Sequence, residues 1–357
     1  MRTISVINQK GGCGKTTIAI NLAAAFVEMG KKVLLIDLDP QSHASIGLSV
    51  LPEELDHSTY DLMMNPRVKV DDAVFSIDEN LHLVPSSSIL SAVEQELSGK
   101  TARETRLLSK LARTADRYDY TIIDSPPNVG LLTFNALIAA SEVIIPIDPS
   151  YFSLQGLQKL RETLDLLEYE TKHKILVHVL ATNIEKRTTF CRDIIYELER
   201  QHGGVLMDTI ISHSVRFKEA ALRGEPIFRM SGVDRLKNEF LSLAREIEHK
   251  VSVIDTDDIE DWMVRLHGPR RVEEGILFVI DAPSAESVHL TGEFTNWSRD
   301  GIRMERSESD GLWKAMLHLE PGEYEYRFIV DGVWIKDPGN TDSVLNEFGQ
   351  ENSLLIV

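Results

Sequence analysis

The segment Lys10-Gly11-Gly12-Cys13-Gly14-Lys15-Thr16-Thr17 constrains this chain more than any other. It follows the apolar, β-branched run Ile4–Ile7 and opens a stretch of helical period, Thr17–Met29. That strand–loop–helix setting is what a phosphate-binding loop requires. Glycines let successive backbone N–H groups converge on phosphate oxygens without Cβ clashes. The helix N-terminus adds a partial positive charge. In such a loop Lys15 reaches the terminal phosphates and Thr16 offers its hydroxyl to Mg2+. The competing reading, a glycine-rich turn before a helix, does not account for this setting.

Further apolar runs recur at Val33–Ile36, Leu81–Val84, Tyr120–Ile123, Val143–Ile147, Ile175–Leu180 and Val205–Ile211. Stretches of helical period, such as Leu154–Tyr169, lie between most of them. Continuous apolar strands joined by helices predict an α/β fold with a doubly wound, mostly parallel sheet covered on both faces. Ligands in such sheets bind at the carboxyl ends of the strands. Asp124 ends one run, and Asp37 and Asp39 end another. Asp124 is expected to hold Mg2+ directly or through water, and one of Asp37 and Asp39 to position an attacking water. A helix cap or turn is the other common use of an Asp after a strand.

In this order and spacing the motifs resemble the ParA/MinD family of deviant-Walker ATPases, the partition branch more than the MinD branch. Lys10–Thr17 fits the family's KGGxGKTT loop, Leu38-Asp39-Pro40-Gln41 its A′ motif, and Asp124-Ser125-Pro126-Pro127 its D-x-P-P Walker B. The likeness spans most of 1–250. It implies a P-loop NTPase fold, ATP and Mg2+ as cofactors, hydrolysis to ADP and phosphate, and a sandwich homodimer formed on ATP binding. It also implies nucleotide contacts from Gly11, Gly12, Cys13, Gly14, Lys15, Thr16 and Thr17, and a metal environment of Thr16, Asp37 and Asp124. Lys10 would cross to the partner's phosphates, and Asp39 would orient the hydrolytic water. An extra cation over developing phosphate charge lowers the barrier. Cys13 occupies the variable position. It is expected to be a small inert filler; the alternative is a thiol made redox-sensitive by the helix N-terminus and Lys15.

Ser214–Ala220 resembles the family's NVRLSEA stretch, with Ser212-His213 where Pro-Arg is usual and Ser214 replacing the Asn. The resemblance implies that Arg216, Lys218 and Arg223 contact DNA without sequence preference in the ATP dimer, where phosphate contacts double. A mixed-charge, solvated helix face is the alternative.

Charge separates a second module. The chain carries −18, of which residues 251–357 hold −13 and residues 1–250 only −5. A chain this acidic is not a general nucleic-acid coat, so any DNA contact is local. The organisation expected is an ATPase domain over 1–250, an acidic linker over 251–273 and a module over 274–357. In the linker Ile259, Trp262, Met263 and Leu266 form a helical stripe beside Asp257, Asp258, Glu260 and Asp261. An anionic membrane would repel those acids, so the stripe is expected to pack against the protein's own domains.

In the tail, Glu323–Val330 alternates strictly, with Tyr324, Tyr326, Phe328 and Val330 on one face and Glu325, Arg327 and Ile329 on the other. Leu312–Leu319 places Trp313, Ala315, Leu317 and Leu319 on one face, and turn signals such as Pro321-Gly322 and Asp331-Gly332 punctuate the runs. This predicts a small Ig-like antiparallel β-sandwich with Trp313 in its core. Trp297 and Trp334 lie beside turns, where an exposed ring suits a sugar's C–H face; packing of all three tryptophans in the core or over an edge is the alternative, and composition alone favours it. Gly292–Trp297, Gly322–Gly332 and Trp334 with Asp337-Pro338 resemble the glycogen-binding module of AMP-activated kinase β subunits and branching enzymes. The likeness implies an α-glucan site of Trp297, Arg327, Trp334, Phe348 (where Leu is usual) and Asn352.

Two cysteines, Cys13 and Cys191, exclude a disulfide framework, a CxxC zinc site and a one-chain four-cysteine cluster. No apolar run approaches a membrane span. The expectation is a prokaryotic, cytoplasmic, nucleoid-associated protein that needs an activating protein and does not bind membrane. Three functional classes remain open at this point: an ATP-driven switch that positions a glucan-linked cargo, a glucan-recruited scaffold with ATP-controlled dimerisation, and a DNA-partition ATPase whose tail contacts protein.

Overall fold

The computed structural model describes residues 1–51, 55–100, 103–114, 116–171, 173–185, 189–250, 269–272, 275–280, 282, 285–306, 312–340, 342–346 and 348–357, with backbone alone at 151–155, 169–170, 189–193, 201–202, 270 and 272. The linker stripe Ile259, Trp262, Met263 and Leu266 lies outside the described residues, as does the side chain of Cys191. Contacts divide the chain into two compact units. The first comprises Met1–Met64, Val68–Leu97 and Lys110–Ile254; the second comprises Asn65–Arg67, Ser98–Ser109 and Asp255–Val357.

The first unit is built on a sheet of β1 (Arg2–Val6), β2 (Val33–Asp37), β3 (Phe75–Ser76), β4 (Leu81–Val84), β5 (Tyr120–Asp124), β6 (Glu142–Ile147), β7 (Leu176–Ile184) and β8 (Leu206–Ser212). Their order is β3-β4-β2-β5-β1-β6-β7-β8. Every pairing is parallel except β3 against β4. Each apolar run read from the sequence is a strand. The two-residue β3 was not foreseen, because so short and exposed an edge carries no periodicity. β1, β2, β5 and β6 are buried almost throughout, which is why they read as continuous apolar runs rather than alternating ones. Helix Lys15–Glu28 packs on this sheet. Ile18, Leu22, Ala25 and Phe26 join Ile4, Leu35, Ile122 and Phe240 in one core, and Phe26 stacks on Tyr120 with ring centroids 3.8 Å apart.

The second unit contains two antiparallel sheets. One has the order β13-β14-β10-β9, formed by β9 (Arg270–Val272), β10 (Gly275–Ile280), β13 (Glu305–Arg306) and β14 (Trp313–Leu317). The other has the order β12-β11-β15-β18-β17. Its strands are β11 (Val288–Gly292), β12 (Ile302–Arg303), β15 (Glu323–Val330), β17 (Ser343–Leu345) and β18 (Glu351–Ile356), with β16 (Val333–Ile335) paired to β15. Phe278, Leu290, Trp313, Tyr326, Phe328 and Leu355 fill the space between the sheets. Tyr326 and Phe328 are fully buried, as the alternation of β15 required, and the Trp313 indole N–H donates to the Ala282 carbonyl at 3.0 Å.

Candidate functional site

Residues Ile7–Gly14 leave the carboxyl end of β1 and feed helix Lys15–Glu28. Gly12 and Gly14 take positive φ values of 77° and 95°, which glycine tolerates without a Cβ penalty. A Cβ built on Gly11, Gly12 or Gly14 would meet nothing within 4 Å. The loop is therefore an open cradle rather than a packed turn. Asn8 fixes its entry: the side-chain amide donates to the Pro146 carbonyl at 2.7 Å, and its oxygen accepts the Lys10 N–H at 2.9 Å. Thr182 on β7 fixes its middle by donating to the Cys13 carbonyl at 3.0 Å. Lys15 is buried, and its Nζ donates to the Lys10 carbonyl at 3.3 Å.

Strand order brings the acids to this loop. Asp37 and Asp124 end β2 and β5 in direct register, and Val6 flanks Asp124 on the other side. Both carboxyls are fully buried. Asp37 accepts the Ser45 N–H at 2.8 Å and the Ser45 hydroxyl at 2.7 Å; burial nevertheless pushes it up to about 6. Among the described residues neither Asp124 oxygen has a partner that meets hydrogen-bond distance and angle. Burial, then the charge of Asp37, raise it well above the usual carboxylate range, while the Thr16 hydroxyl and Lys15 pull the other way. An orphaned, buried carboxyl beside an open phosphate cradle is a fitting cation position. Among the described residues no group of three or more His, Cys, Asp and Glu could hold a metal by itself, so such a cation would draw on phosphate oxygens as well. Asp39 is nearly buried and accepts the Gln41 N–H at 2.9 Å. Cys13 is fully buried, its thiol donates to the Lys10 carbonyl at 3.2 Å, and burial raises its pKa against the lowering effect of Lys15. That is the environment of an inert filler, not of a lowered, reactive thiol.

Lys10 is held within its own chain. Its Nζ donates to both Asp148 oxygens at 2.6 and 2.8 Å and to the Ser150 hydroxyl at 2.9 Å. The sequence reading did not single out Asp148, although it follows β6 just as Asp124 ends β5, at the same sheet edge.

On helix Arg216–Arg223 the basic residues are partly engaged. Arg216 pairs with Glu219 and donates to the Ser231 carbonyl, Arg223 lies 3.8 Å from Glu225, and Lys218 is exposed.

In the second unit Trp297 and Trp334 stack with centroids 6.3 Å apart and planes 27° from parallel. Asn296 and Trp297 both take positive φ, 50° and 55°, so a tight left-handed turn presents the indole. Trp334 lies across from Ile329, on the face that also carries Glu325 and Arg327. Arg327 donates to the Gln350 side chain at 2.8 Å. Phe348 is 80% exposed in the β17–β18 turn. Asn346 braces that turn by accepting the N–H groups of Phe348 and Gln350 at 3.0 and 2.9 Å. Asn352 is only 3% exposed; it donates to Glu325 at 2.8 Å and accepts from Asn346 at 3.2 Å. It is buried rather than on the surface, and the sequence reading did not single out Asn346, which donates to it, or Gln350, which accepts from Arg327. Their signal was weak, since turns favour Asn for local reasons.

A family described as an AAA domain matches residues 1–177. The sporulation initiation inhibitor protein Soj of Bacillus subtilis is 36% identical over 247 residues, which is 69% of this chain and 98% of Soj. The chain belongs to the Soj/ParA family. The chromosome partitioning protein ParA of Myxococcus xanthus is 34% identical over 248 residues, 69% of this chain and 87% of that protein. Among solved structures, cobyrinic acid a,c-diamide synthase from Mycobacterium smegmatis, with bound ATP analogue and magnesium, superposes with a TM-score of 0.63 at 28% identity, covering 71% of this chain and 96% of that one. The glycogen recognition site of AMP-activated protein kinase matches residues 280–357. Residues 280–357 of this Soj/ParA protein thus resemble that glycogen-recognition module. Among the described residues no helix is long and apolar enough to cross a membrane.

Proposed function

We propose that this Soj/ParA protein is a Mg2+-dependent ATPase whose ATP-bound form is a sandwich dimer, and that its module binds α-glucan. The observation that carries the first part is the orphaned Asp124 carboxyl in register with Asp37, beside an open glycine cradle. Bound Mg2+ supplies charge neutralisation on the terminal phosphates. Thr16 and Asp124 hold it, with Asp37 supporting them. The N–H groups of Gly11–Thr17 and the Lys15 ammonium bind the phosphates. Asp39 orients the attacking water. Lys10 leaves Asp148 and Ser150 and reaches the partner's phosphates, so the intrachain ion pair competes with dimerisation.

Four module residues, Trp297, Trp334, Arg327 and Phe348, form the glucan surface, with Asn352 holding the Asn346 turn from behind. The ATP dimer would then position a glucan-bearing cargo, using DNA as a matrix through Lys218, Arg216 and Arg223, and an activating protein would trigger turnover.

Two variants test the switch. Lys15→Ala should lose nucleotide binding and turnover together. Lys10→Ala should keep nucleotide binding but lose both ATP-dependent dimerisation, read by analytical ultracentrifugation, and at least about a hundredfold in turnover. Wild-type turnover in Lys10→Ala would remove the trans role. A dimer that forms without nucleotide would favour a scaffold.

A further inference from the structure

The one-turn helix His43–Ile46 follows the A′ loop and buries Ala44 and Ser45. Ser45, Ser86 and Asp37 are all fully buried. Oδ2 of Asp37 takes both Ser45 bonds, N–H and hydroxyl, while Oδ1 receives only the Asp39 N–H at 3.2 Å. The Ser45 oxygen in turn accepts the Ser86 N–H at 3.0 Å. A hydroxyl has one proton to give. With the Ser86 amide on its oxygen, the Ser45 proton is committed to Asp37.

The segment is wound tightly enough to keep Ser45 there. Ile46 N–H donates to the Ser42 carbonyl at 2.9 Å, and the N–H groups of Leu48 and Val50 both donate to the Ser45 carbonyl, at 3.1 and 2.9 Å. Gly47 packs closely as well, since a Cβ there would lie 2.9 Å from the His43 carbonyl oxygen. Asp124, next to Asp37 in the sheet, has no such support.

We propose that Ser45 is a positioning residue for the magnesium site: it commits one oxygen of Asp37 to the protein, so that only the other, which accepts the single long Asp39 N–H bond, can also serve a cation shared with Asp124. This rests on the nucleotide reading above. Ser86 contributes through its backbone N–H alone, because its own hydroxyl has no partner among the described residues. Hydrogen-bond partners of ligating carboxylates commonly change metal affinity by about ten- to a hundredfold when removed.

The test titrates Mn2+ into the full-length chain saturated with ADP and reads free Mn2+ by electron paramagnetic resonance. Ser45→Ala should weaken Mn2+ binding by about tenfold or more, Ser45→Thr should restore it, and Ser86→Ala should match wild type. Metal-free ADP affinity should be the same in all four proteins. Should Ser45→Ala fail to fold, Ser45→Cys, which keeps the volume but donates weakly, should show an intermediate loss. Ser45→Ala or Ser45→Cys binding Mn2+ like wild type, or Ser45→Thr failing as badly as Ala with a native circular dichroism spectrum, would overturn the inference. A wild-type protein that binds no Mn2+ with ADP would overturn the nucleotide reading itself, and this inference with it.

Discussion

Asp337 is fully buried in the module, where the Tyr326 hydroxyl donates to it and the Gly339 N–H reaches it at 2.8 Å. Burial outweighs these bonds and pushes its pKa up to about 6. A carboxyl raised in the folded state binds protons there that the unfolded chain has already lost. Its favourable contribution is therefore present below about pH 4 and lost as pH rises through about 6. At about 1.4 kcal/mol per unit, the loss is of the order of 2–3 kcal/mol. All four tryptophans lie between residues 262 and 334, so tryptophan fluorescence reports the tail alone. Urea unfolding followed this way should show wild type losing stability relative to Asp337→Asn between pH 4.5 and 7. Parallel pH profiles for the two proteins would show that Asp337 is not held as described. Asp37 and Asp124 show what single residues do not disclose. Both end apolar runs and both read as candidate site acids, but only the order β2-β5-β1 makes them neighbours. Only the fold shows that Ser45 bonds one twice while, among the described residues, the other has no partner in full hydrogen-bond geometry.

Among the elements, those with a strong period were legible and those held by close approach were not. β15 was readable at Tyr326 and Phe328, which its alternation sends into the core, but not at Ile329, which is buried on the opposite face where β16 pairs with it. Helix Lys15–Glu28 was readable because a glycine loop precedes Ile18–Val27, apolar but for Asn21. The segment 39–50 has no such period; local turns and two left-handed serines, Ser42 and Ser49, shape it. Asn352 fits a surface motif by sequence, and pairing of β17 with β18 buries it. Helix Arg216–Arg223 ends on Gly224, whose φ is 65°, and a Cβ there would fall 1.6 Å from the Ser49 hydroxyl oxygen. Gly224→Ala should therefore cost about 2–3 kcal/mol through strain and overlap. Ser49→Gly, which removes that side chain and suits its own positive φ of 57°, should recover part of the loss in the double variant. Urea melts by far-ultraviolet circular dichroism measure both. Additive effects of the two substitutions would mean the contact is not formed.

At the scale of the whole molecule, two chemistries share one chain. In the proposed reading the Soj/ParA part holds phosphate with backbone amides and lysines. The module presents stacked indoles and an exposed phenylalanine, and the stretch 251–357 to which it belongs carries most of the net negative charge. Charge asymmetry and the change of rhythm near residue 250 made two modules visible in the sequence. Inclusion of Asn65–Arg67 and Ser98–Ser109 in the second unit was not visible, because membership there is set by contacts between segments distant in sequence. The central claim is that the ATPase carries a working glucan site. Glycogen co-sedimentation of the full-length protein, with and without ATP and Mg2+, tests it most directly against the Trp297→Ala/Trp334→Ala double variant. Wild type should pellet with glycogen and the double variant should stay in the supernatant, with any dependence on ATP measuring how far the two parts are coupled. Wild type remaining in the supernatant in both states, or a double variant that pellets equally well, would contradict the account.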